Sequence, residues 1–463
     1  MVRPLILARA GLRTLARSAW PAFPRRVYAN PMRLYSTPSE ADSVLTRPIK
    51  SDLPQLEIDQ KAVSVIWPSG AISRFHHIWL RDHCRCPVCF HEHTKQRLVD
   101  TFSIPRDIAP QKVEALAEGL VVEWPGEKPH VTRFPWDWLR RSAYVAPRRD
   151  PSQLTFRSSG IGTASQGYNK VLWGSTIEAA PPQVEFEAVM HSDEALLQWL
   201  NKIDQYGFCF VAGVPANPAE TEALVRRIAF VRETHYGNFW DFTSDLAHGD
   251  TAYTDIALGA HTDTTYFTDP AGLQLFHLLA HTAKGDHKLQ GRDLGGQSLF
   301  VDGFFAAKLM HDVYPEHYNV LRSTRISAHS AGDSDTLVKP LFRGNPIIQH
   351  DPVNDNLVMI RYNNSDRSTM RIPDEQVEPF YDALRCWNKI LTDKQSEYWF
   401  RMRPGTAVIF DNHRVLHGRA SFIGSRRLCG AYVPHDDYRS RLSVLRMQYE
   451  SPEGTRGVWE DGV

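Results

Sequence analysis

The sequence predicts an α+β protein whose larger domain is built on a β-barrel or jelly roll. Two helical patterns open this domain near Val184, and several short strand-like segments separated by Gly, Pro and Asp turns follow them. A smaller region from about Leu53 to Tyr144 alternates short apolar runs with turns, which is typical of a β-rich unit. Helices followed by many short strands suggest this arrangement.

Each of the two helices has a start signal and an apolar face. Ser192 can cap the first helix, whose leucine and isoleucine side chains repeat at helical spacing up to Gly207. The second helix has Pro218 in its first turn and directs its apolar residues between Leu224 and Ile228 inward. The expected strands are FCFVAGVP directly after the first helix and, later, GLQLFHLL, SLFVDGF, LVMIRYN, TAVIFDN and RRLCGAYV.

The composition is that of a globular protein of 463 residues, with 42% apolar and 23% charged residues. A chain of this length can bury two or three domain cores. The formal net charge is +0, so no surplus of Lys and Arg can neutralise phosphates, and nucleic acid is not expected as a partner. No uncharged apolar run reaches roughly 18 residues, so no membrane span is expected. A small-molecule substrate fits this composition better than a nucleic acid does.

The beginning of the chain has the composition of a mitochondrial transit peptide. It carries several arginines and no acidic residue before Glu40. Arg9, Arg13 and Arg17 recur four residues apart and share one helical face. We therefore predict a location in the mitochondrial matrix. The predicted divisions of the chain are a transit peptide over residues 1–38, a small N-terminal domain over 50–146, a linker over 147–180 and the larger domain over 181–463.

The segment HTDTTYF contains a pair of residues that can bind one metal ion. His261 and Asp263 are two residues apart, so in a strand both side chains point to the same face. A distant histidine would complete a triad of two histidines and one carboxylate, which leaves coordination positions open on Fe(II). His-x-Asp alone occurs by chance in many sequences, so the rest of the site must support the assignment.

Two downstream histidines, His413 and His417, compete for the third position. We choose His417, because HGR is followed at strand distance by the arginine that a dicarboxylic co-substrate requires. Arg426 is preferred as that arginine over Arg427, its neighbour on the opposite strand face. A guanidinium can hold the far carboxylate of 2-oxoglutarate through two parallel hydrogen bonds. His413 is then interpreted as a turn residue beside the site.

Three of the 6 cysteines, Cys84, Cys86 and Cys89, crowd into the segment WLRDHCRCPVCF. The spacing C-x-C-x-x-C can arrange three thiolates around one tetrahedral Zn(II) ion, and the fourth ligand must come from elsewhere. The nearby histidine candidates are His83, His91, His93 and His130. Four protein ligands leave no open coordination position, so the predicted role of this zinc is structural.

Several motifs in order, HTDTTYF, GGQSLFVDGFFAA, IRYNNSDR and DNHRVLHGR, resemble those of the trimethyllysine dioxygenase and γ-butyrobetaine dioxygenase family. The resemblance extends from about Leu53 to Arg441. It implies a double-stranded β-helix (jelly-roll) catalytic domain, with iron held by His261, Asp263 and His417. It also implies 2-oxoglutarate and O2 as co-substrates and ascorbate as a further cofactor.

The same resemblance assigns residues outside the iron site. It selects His130 as the fourth zinc ligand, because the related enzymes place a histidine shortly after a similar Trp-Pro step. It also implies an aromatic cage for a trimethylammonium group, which has no N–H to donate and is recognised through ring faces. The implied cage residues are Tyr236, Trp240, Tyr253 and Tyr432. Without the resemblance, the spacing of Tyr236 and Trp240 would be interpreted as helical core packing.

The polar end of the substrate distinguishes the two members of the family. In the γ-butyrobetaine enzymes an amide takes the place of Asp250 and meets a bare carboxylate, which an Asp would repel. An Asp suits the α-ammonium of N6-trimethyllysine, so we expect hydroxylation of this substrate to its 3-hydroxy form, the first step of carnitine biosynthesis. Asn363 and Asn364 are both candidates for the substrate carboxylate.

Two other functions compete with this expectation. One is hydroxylation of γ-butyrobetaine, which is the same chemistry on a shorter substrate. The other is a jelly-roll binding module that has kept the fold and lost turnover. The sequence leaves the oligomeric state open, and a homodimer is among the states that it allows.

Overall fold

The structure is a computed structural model that describes residues 53–126, 130–144, 170–243, 255–283, 294–331, 336–339, 344–353 and 355–450. The predicted transit peptide, most of the predicted linker and two predicted substrate residues, Asp250 and Tyr253, lie outside these residues. The chain divides into two units after residue 51, and every described residue belongs to the second. In the part of the chain that the structure describes, no helix is both long and apolar enough to cross a bilayer.

Residues 53–126 and 130–144, the described part of the N-terminal region, contain six strands and two short helices. They are β1 (Gln55–Ile58), β2 (Ala62–Ile66), β3 (Ile72–His76), α1 (His77–Asp82), a single 3-10 turn (Thr101–Ser103), β4 (Lys112–Leu116), β5 (Gly119–Trp124), β6 (His130–Pro135) and α2 (Trp136–Arg141). The strands form two antiparallel sheets in the orders β1-β2-β3 and β4-β5-β6. Val63, Phe75, Trp124 and Trp138 belong to one shared core, so the β-rich character predicted for this region is present.

The larger domain combines helices with two main sheets. Its elements are a 3-10 turn (Ser175–Ala179), β7 (Gln183–Glu185), α3 (Phe186–His191), α4 (Asp193–Tyr206), β8 (Phe208–Ala212), α5 (Pro218–Arg226), β9 (Phe239–Thr243), β10 (Leu258–His261), β11 (Leu273–Thr282), β12 (Ser298–Asp302), α6 (Gly303–Val313), α7 (Pro315–Ser323), β13 (Ile348–His350), β14 (Leu357–Ile360), α8 (Asp374–Leu391), β15 (Glu397–Phe400), β16 (Thr406–Asp411), β17 (Val415–Arg419), β18 (Ser425–Val433) and α9 (His435–Tyr449).

Two sheets of this domain pack face to face. One has the order β7-β8-β16-β11-β18-β9 and the other the order β10-β17-β12-β15. The ring of Phe300 on β12 lies 4.9 Å from that of Phe410 on β16 and 5.4 Å from that of Phe208 on β8, centroid to centroid. Aromatic contacts of this kind fill the space between the two inner faces. The prediction of a jelly-roll-type α+β domain is confirmed.

The two helices predicted from the sequence are α4 and α5. The hydroxyl of Ser192 accepts a hydrogen bond from the backbone N–H of Ala195 at 3.2 Å, which is the expected cap of α4. The helix ends at Gly207, whose φ of 81° lies in the left-handed region that glycine adopts without a steric penalty. This turn directs the chain straight into β8, the strand predicted to begin there.

The larger domain begins earlier than predicted, because residues 170–180 pack into it and are not part of a linker. Trp173 is almost fully buried in the core between the sheets. Its backbone N–H donates to Asp302 Oδ2 at 3.1 Å, and its ring N–H donates to the carbonyl of Tyr206 at 2.6 Å. The preceding segment is rich in Ser, Gly, Arg and Pro, so composition alone predicts a linker here and does not indicate that Trp173 is buried.

We expect Asp302→Ala to lower the free energy of unfolding by about 3–5 kcal/mol, because it leaves a buried guanidinium without its partner. Arg414 donates to Asp302 through Nε at 3.0 Å and through Nη2 at 2.8 Å, and both side chains are fully buried. Urea unfolding measures the change. Asp312→Ala is the matched control in helix α6, which Asp302 caps, because its ion pair with Lys308 is half exposed and worth less than about 0.5 kcal/mol. Equal losses in the two variants would contradict this account.

Candidate active site

A cavity of about 770 Å³ opens between the two main sheets. One wall comes from β10 and β17 of the smaller sheet, and the other comes from β11 and β18 of the larger sheet. Its lining contains most of the site residues predicted from the sequence: Tyr236, Trp240, His261, Asp263, Asn363, Asn364, His417, Arg426 and Tyr432. Asp250 and Tyr253 lie outside the described residues.

His261, Asp263 and His417 form a cluster at one point of this cavity. Asp263 Oδ1 lies 3.3 Å from His261 Nε2 and 3.6 Å from His417 Nε2. The Nδ1 of His261 lies 2.8 Å from the carbonyl of Gly259, which can only accept, so this nitrogen carries the proton. The Nε2 of His261 is therefore the nitrogen that faces Asp263 and that can serve as a metal ligand once it has lost its proton.

The sequence suggested that the two residues of the His-x-Asp pair lie on one strand, but they do not. Strand β10 ends at His261, and Asp263 lies in the loop that follows. The amide of Asn412 holds this loop: its Oδ1 accepts the backbone N–H of Asp263 at 2.7 Å, and its Nδ2 donates to the carbonyl of Asp263 at 3.1 Å. The side chains of His261 and Asp263 meet because Asn412 fixes the loop. The alternation of side chains along one strand does not explain the contact.

The protonation states of the cluster suit a metal site. Burial would raise the pKa of Asp263, but the neighbouring His417 and hydrogen bonds from His261 and Tyr432 outweigh it and hold the pKa well below its usual range. Burial, together with repulsion from His261, lowers the pKa of His417 to about 3. The carboxylate is therefore ionised and the His417 imidazole neutral at neutral pH, which are the forms that bind metals.

His413, the rival for the third position, lies in a different group of side chains. It is stacked on His435, with ring centroids 4.5 Å apart and the planes 19° from parallel, and both rings are close to Asp411. A metal ion binds in the plane of an imidazole ring, so two nearly parallel stacked rings cannot both coordinate one ion well. His417 is the histidine that faces Asp263.

Arg426 is a buried cation at the cavity wall. Its side chain is 3% exposed, and burial together with repulsion from Arg419 and Arg401 lowers its pKa to about 9. Within the described ranges it has no ion-pair partner, its Nε has no hydrogen-bond acceptor, and its Nη2 meets only the sulfur of Met402 at 3.8 Å. Arg427 points out and forms two hydrogen bonds with Asp241. A buried guanidinium without a counter-ion is suited to bind an anionic ligand.

Aromatic side chains converge beside the metal cluster. Trp240 lies on strand β9, so the helical packing interpretation of its spacing from Tyr236 is wrong. Its ring meets that of Tyr432 edge to face at 5.6 Å, and the hydroxyl of Tyr236 lies 3.0 Å from that of Tyr266. Gly430 makes room for Trp240, because a Cβ there would lie 2.3 Å from the indole ring. Tyr266 is a lining residue that the sequence argument missed.

The two asparagines lie at the cavity wall and are held by neighbouring side chains. Asn363 Nδ2 donates to Asp366 Oδ2 at 2.9 Å, and Asn364 Oδ1 accepts from Arg367 Nε at 3.1 Å. Asp366 and Arg367 also line the cavity and were not predicted. This wall therefore contains a carboxylate and a guanidinium next to the two amides.

A second cluster of metal-ligand residues lies in the N-terminal region. His130 Nε2 lies 3.2 Å from the sulfur of Cys84, 3.7 Å from that of Cys86 and 3.6 Å from that of Cys89. The hydroxyl of Thr132, two residues along strand β6, donates to the Cys84 sulfur at 3.1 Å. Of the four histidine candidates, His130 is the one that the fold brings to the cysteines.

Two protein-family models match two separate parts of the chain, which correspond to the N-terminal region and the larger domain. The model of the γ-butyrobetaine hydroxylase-like N-terminal family matches residues 55–140. The model of the taurine catabolism dioxygenase TauD, TfdA family matches residues 171–432. The two matches contain the cysteine–histidine cluster and the cavity, respectively.

Several curated relatives are similar over most of the chain. Trimethyllysine dioxygenase of Meyerozyma guilliermondii is 41% identical over 396 residues, which cover 84% of this chain and 94% of the relative. Mitochondrial trimethyllysine dioxygenase of Bos taurus is 36% identical over 380 residues, which cover 81% and 84%. γ-Butyrobetaine dioxygenase of Homo sapiens is 30% identical over 396 residues, which cover 84% and 95%.

Proposed function

The chain belongs to the trimethyllysine and γ-butyrobetaine dioxygenase family, and on this premise we propose that it hydroxylates N6-trimethyllysine with Fe(II), 2-oxoglutarate and O2. One observation supports the proposal most strongly: a single cavity contains a two-histidine, one-carboxylate cluster, a buried arginine and a group of aromatic rings. These three features suit a metal ion, a dicarboxylate and a trimethylammonium group, respectively.

The donor set of the cluster fits Fe(II). Two imidazoles and one carboxylate on one side of an ion leave positions open on the other side for a chelating co-substrate and oxygen. His261, Asp263 and His417 would hold the ion. When bound, Fe(II) and 2-oxoglutarate supply the oxidising chemistry, in which the co-substrate is converted to succinate and CO2 and one oxygen atom enters the substrate. The chain's own residues orient both molecules and exclude water.

Arg426 is the residue that would bind the far carboxylate of 2-oxoglutarate. Its guanidinium is buried, faces the cavity and has no carboxylate partner among the described residues. Without an anion, the charge would carry a large desolvation penalty. A dicarboxylate that spans from Arg426 to the metal cluster removes this penalty and aims its 2-oxo acid end at the open coordination positions.

The aromatic residues would hold the trimethylammonium end of the substrate. Tyr236, Trp240 and Tyr432 present ring faces and edges beside the cluster, and each contact with a desolvated quaternary ammonium contributes about 2 kcal/mol. Such a cage anchors the substrate at one end and brings a carbon several bonds away to the metal. Tyr253 completes the proposed cage on sequence grounds alone.

Asp250 is the residue on which the choice of substrate depends. We assign it to the α-ammonium of N6-trimethyllysine, a group that γ-butyrobetaine lacks, and we assign the substrate carboxylate to Asn363 or Asn364. The higher identity to the trimethyllysine dioxygenases than to the γ-butyrobetaine dioxygenase supports the same choice. γ-Butyrobetaine hydroxylation is the second candidate function.

We expect Asp250→Asn to lower kcat/KM for N6-trimethyllysine roughly 30- to 100-fold, since it deletes the charge that meets the α-ammonium and keeps the side-chain shape. Trace activity toward γ-butyrobetaine should stay level or rise. Steady-state assays with each substrate measure both values, and succinate release without substrate controls for the iron site. An equal loss of kcat/KM for both substrates, or no loss for either, would show that Asp250 does not select the substrate.

We assign Cys84, Cys86, Cys89 and His130 to one structural zinc ion. Three sulfurs and one imidazole nitrogen that converge on a point provide a tetrahedral donor set with no position left for a substrate. The hydroxyl of Thr132 donates to one of these sulfurs and would orient it, as outer partners commonly do for metal ligands.

We expect Cys84→Ser to release zinc and lower the melting temperature, since metal-binding free energy is part of the folding free energy of a small domain. Elemental analysis and differential scanning calorimetry measure the two effects. Cys386→Ser is the matched control, because Cys386 lies on helix α8 away from the cluster. An intact protein that contains iron but no zinc would refute the assignment.

Two further assignments rest on sequence and on the names of relatives. We propose that residues 1–38 direct the chain to the mitochondrial matrix and that ascorbate supports turnover by keeping iron reduced. Several related trimethyllysine dioxygenases are named as mitochondrial, which agrees with the arginine-rich start of this chain. Fractionation of cells that express the full chain or a chain lacking residues 1–38 tests the first assignment.

Release of succinate, measured with each candidate substrate in turn, tests the proposed function. We expect release to require Fe(II), and kcat/KM to be higher with N6-trimethyllysine than with γ-butyrobetaine. A preference for γ-butyrobetaine would support the second candidate function. Absence of turnover with both substrates in a metal-loaded, folded protein would support a non-catalytic binding module.

A further inference from the structure

Tyr432 contacts both the proposed cage and the proposed metal centre. Its ring meets Trp240, and its hydroxyl donates to Asp263 Oδ2 at 2.7 Å. Gln274 Nε2 donates to the same oxygen at 2.8 Å. Tyr432 and Gln274 are direct partners in the register of β18 and β11, so the sheet presents both donors side by side to one atom.

These two donors give the two oxygens of the Asp263 carboxylate different partners. Oδ2 receives both hydrogen bonds and faces the larger sheet, while Oδ1 faces the nitrogens of His261 and His417. Hydrogen bonds to a carboxylate orient it and select the oxygen that remains for a metal. Gln274 is 1% exposed, its Nε2 donates to Asp263, and its Oε1 has no hydrogen-bond partner among the described residues, so turning away would leave both polar atoms of the amide unpaired.

We propose that Tyr432 and Gln274 are positioning residues for Asp263, and that Tyr432 couples occupancy of the aromatic cage to the geometry of the metal ligand. This inference rests on the proposed function for the identity of the cage ligand. A cation held against the ring of Tyr432 restricts the phenol, and the phenol in turn restricts the carboxylate. Substrate and metal therefore bind cooperatively, each strengthening the other by the same factor.

Titration of the full-length protein with Co(II), followed by its visible absorption, tests the positioning role without turnover. Tyr432→Phe keeps the ring and deletes the hydroxyl, and we expect it to weaken Co(II) binding about 10-fold or more. Gln274→Met, which keeps the length of the side chain, should weaken binding similarly. Tyr438→Phe is the matched control, because Tyr438 is a buried tyrosine outside the cavity lining whose hydroxyl donates to the carbonyl of Leu200, and it should leave Co(II) affinity unchanged.

The same titration with saturating N6-trimethyllysine tests the coupling. We expect the substrate to tighten Co(II) binding about 5-fold or more in the wild type and in Tyr438→Phe, but not in Tyr432→Phe. Wild-type Co(II) affinity in the Tyr432→Phe and Gln274→Met variants, or an equal loss in Tyr438→Phe, would overturn the positioning role. Tightening that persists in Tyr432→Phe would overturn the coupling. Failure of the wild type to hydroxylate N6-trimethyllysine would overturn the proposed function and leave the substrate-free titration intact.

Discussion

The His417→Ala variant is expected to lose turnover of N6-trimethyllysine on the order of a thousandfold or more, because it removes one of the three proposed iron ligands. The strand that carries His417 is held by β10 on one side and β12 on the other, so the fold should survive the change. Succinate release and bound iron, measured on the same sample, should fall together. His261→Ala and Asp263→Ala should behave in the same way.

His413→Ala provides the control within the same motif. His413 is buried and stacked on His435, so its loss should lower the melting temperature, but the proposed iron ligands remain in place. We expect it to retain bound iron and most of the turnover. If His413→Ala lost iron while His417→Ala kept it, the assignment of the third ligand would be reversed.

Arg426→Met should raise the KM for 2-oxoglutarate on the order of 100-fold or more, because it removes the buried partner of a carboxylate in a site shielded from water. The KM for N6-trimethyllysine should change much less, since the aromatic residues that would bind its cation are untouched. Arg426→Lys should restore only part of the affinity, because an ammonium cannot form the parallel pair of hydrogen bonds.

Arg427→Met is the matched control for this variant. Arg427 is the adjacent residue, half exposed and paired with Asp241 on the surface, where an ion pair contributes little. Its removal should leave the KM for 2-oxoglutarate within about twofold of the wild-type value. If the two variants changed this KM equally, neither arginine could be assigned to the co-substrate.

Much of the local structure follows from short-range patterns in the sequence. The cap at Ser192, the glycine stop at Gly207 and the apolar repeat between them depend on neighbouring residues alone, so α4 could be predicted. Helix α8 is absent from the predicted elements, although Phe380 and Trp387 repeat at helical spacing within it. Pro379 lies inside this helix and is ordinarily a signal that a helix stops.

The contacts that hold Asp263 could not be predicted, because they depend on strand register across long stretches of sequence. Gln274 and Tyr432 meet only when β11 pairs with β18, and Asn412 reaches Asp263 only when the turn after β16 lies beside the loop after β10. One signal was available in retrospect. Gln274 is a polar residue in the middle of an apolar strand, GLQLFHLL, and such a residue needs a buried partner.

We expect one oxygen atom of O2 to be transferred to N6-trimethyllysine. Mass spectrometry after incubation of the full-length protein with Fe(II), 2-oxoglutarate, ascorbate, isotopically labelled O2 and both candidate substrates tests it most directly. The account predicts one labelled oxygen in trimethyllysine and one in succinate, in equal amounts, with little or no label in γ-butyrobetaine. Label in γ-butyrobetaine instead, or in neither substrate, would contradict it.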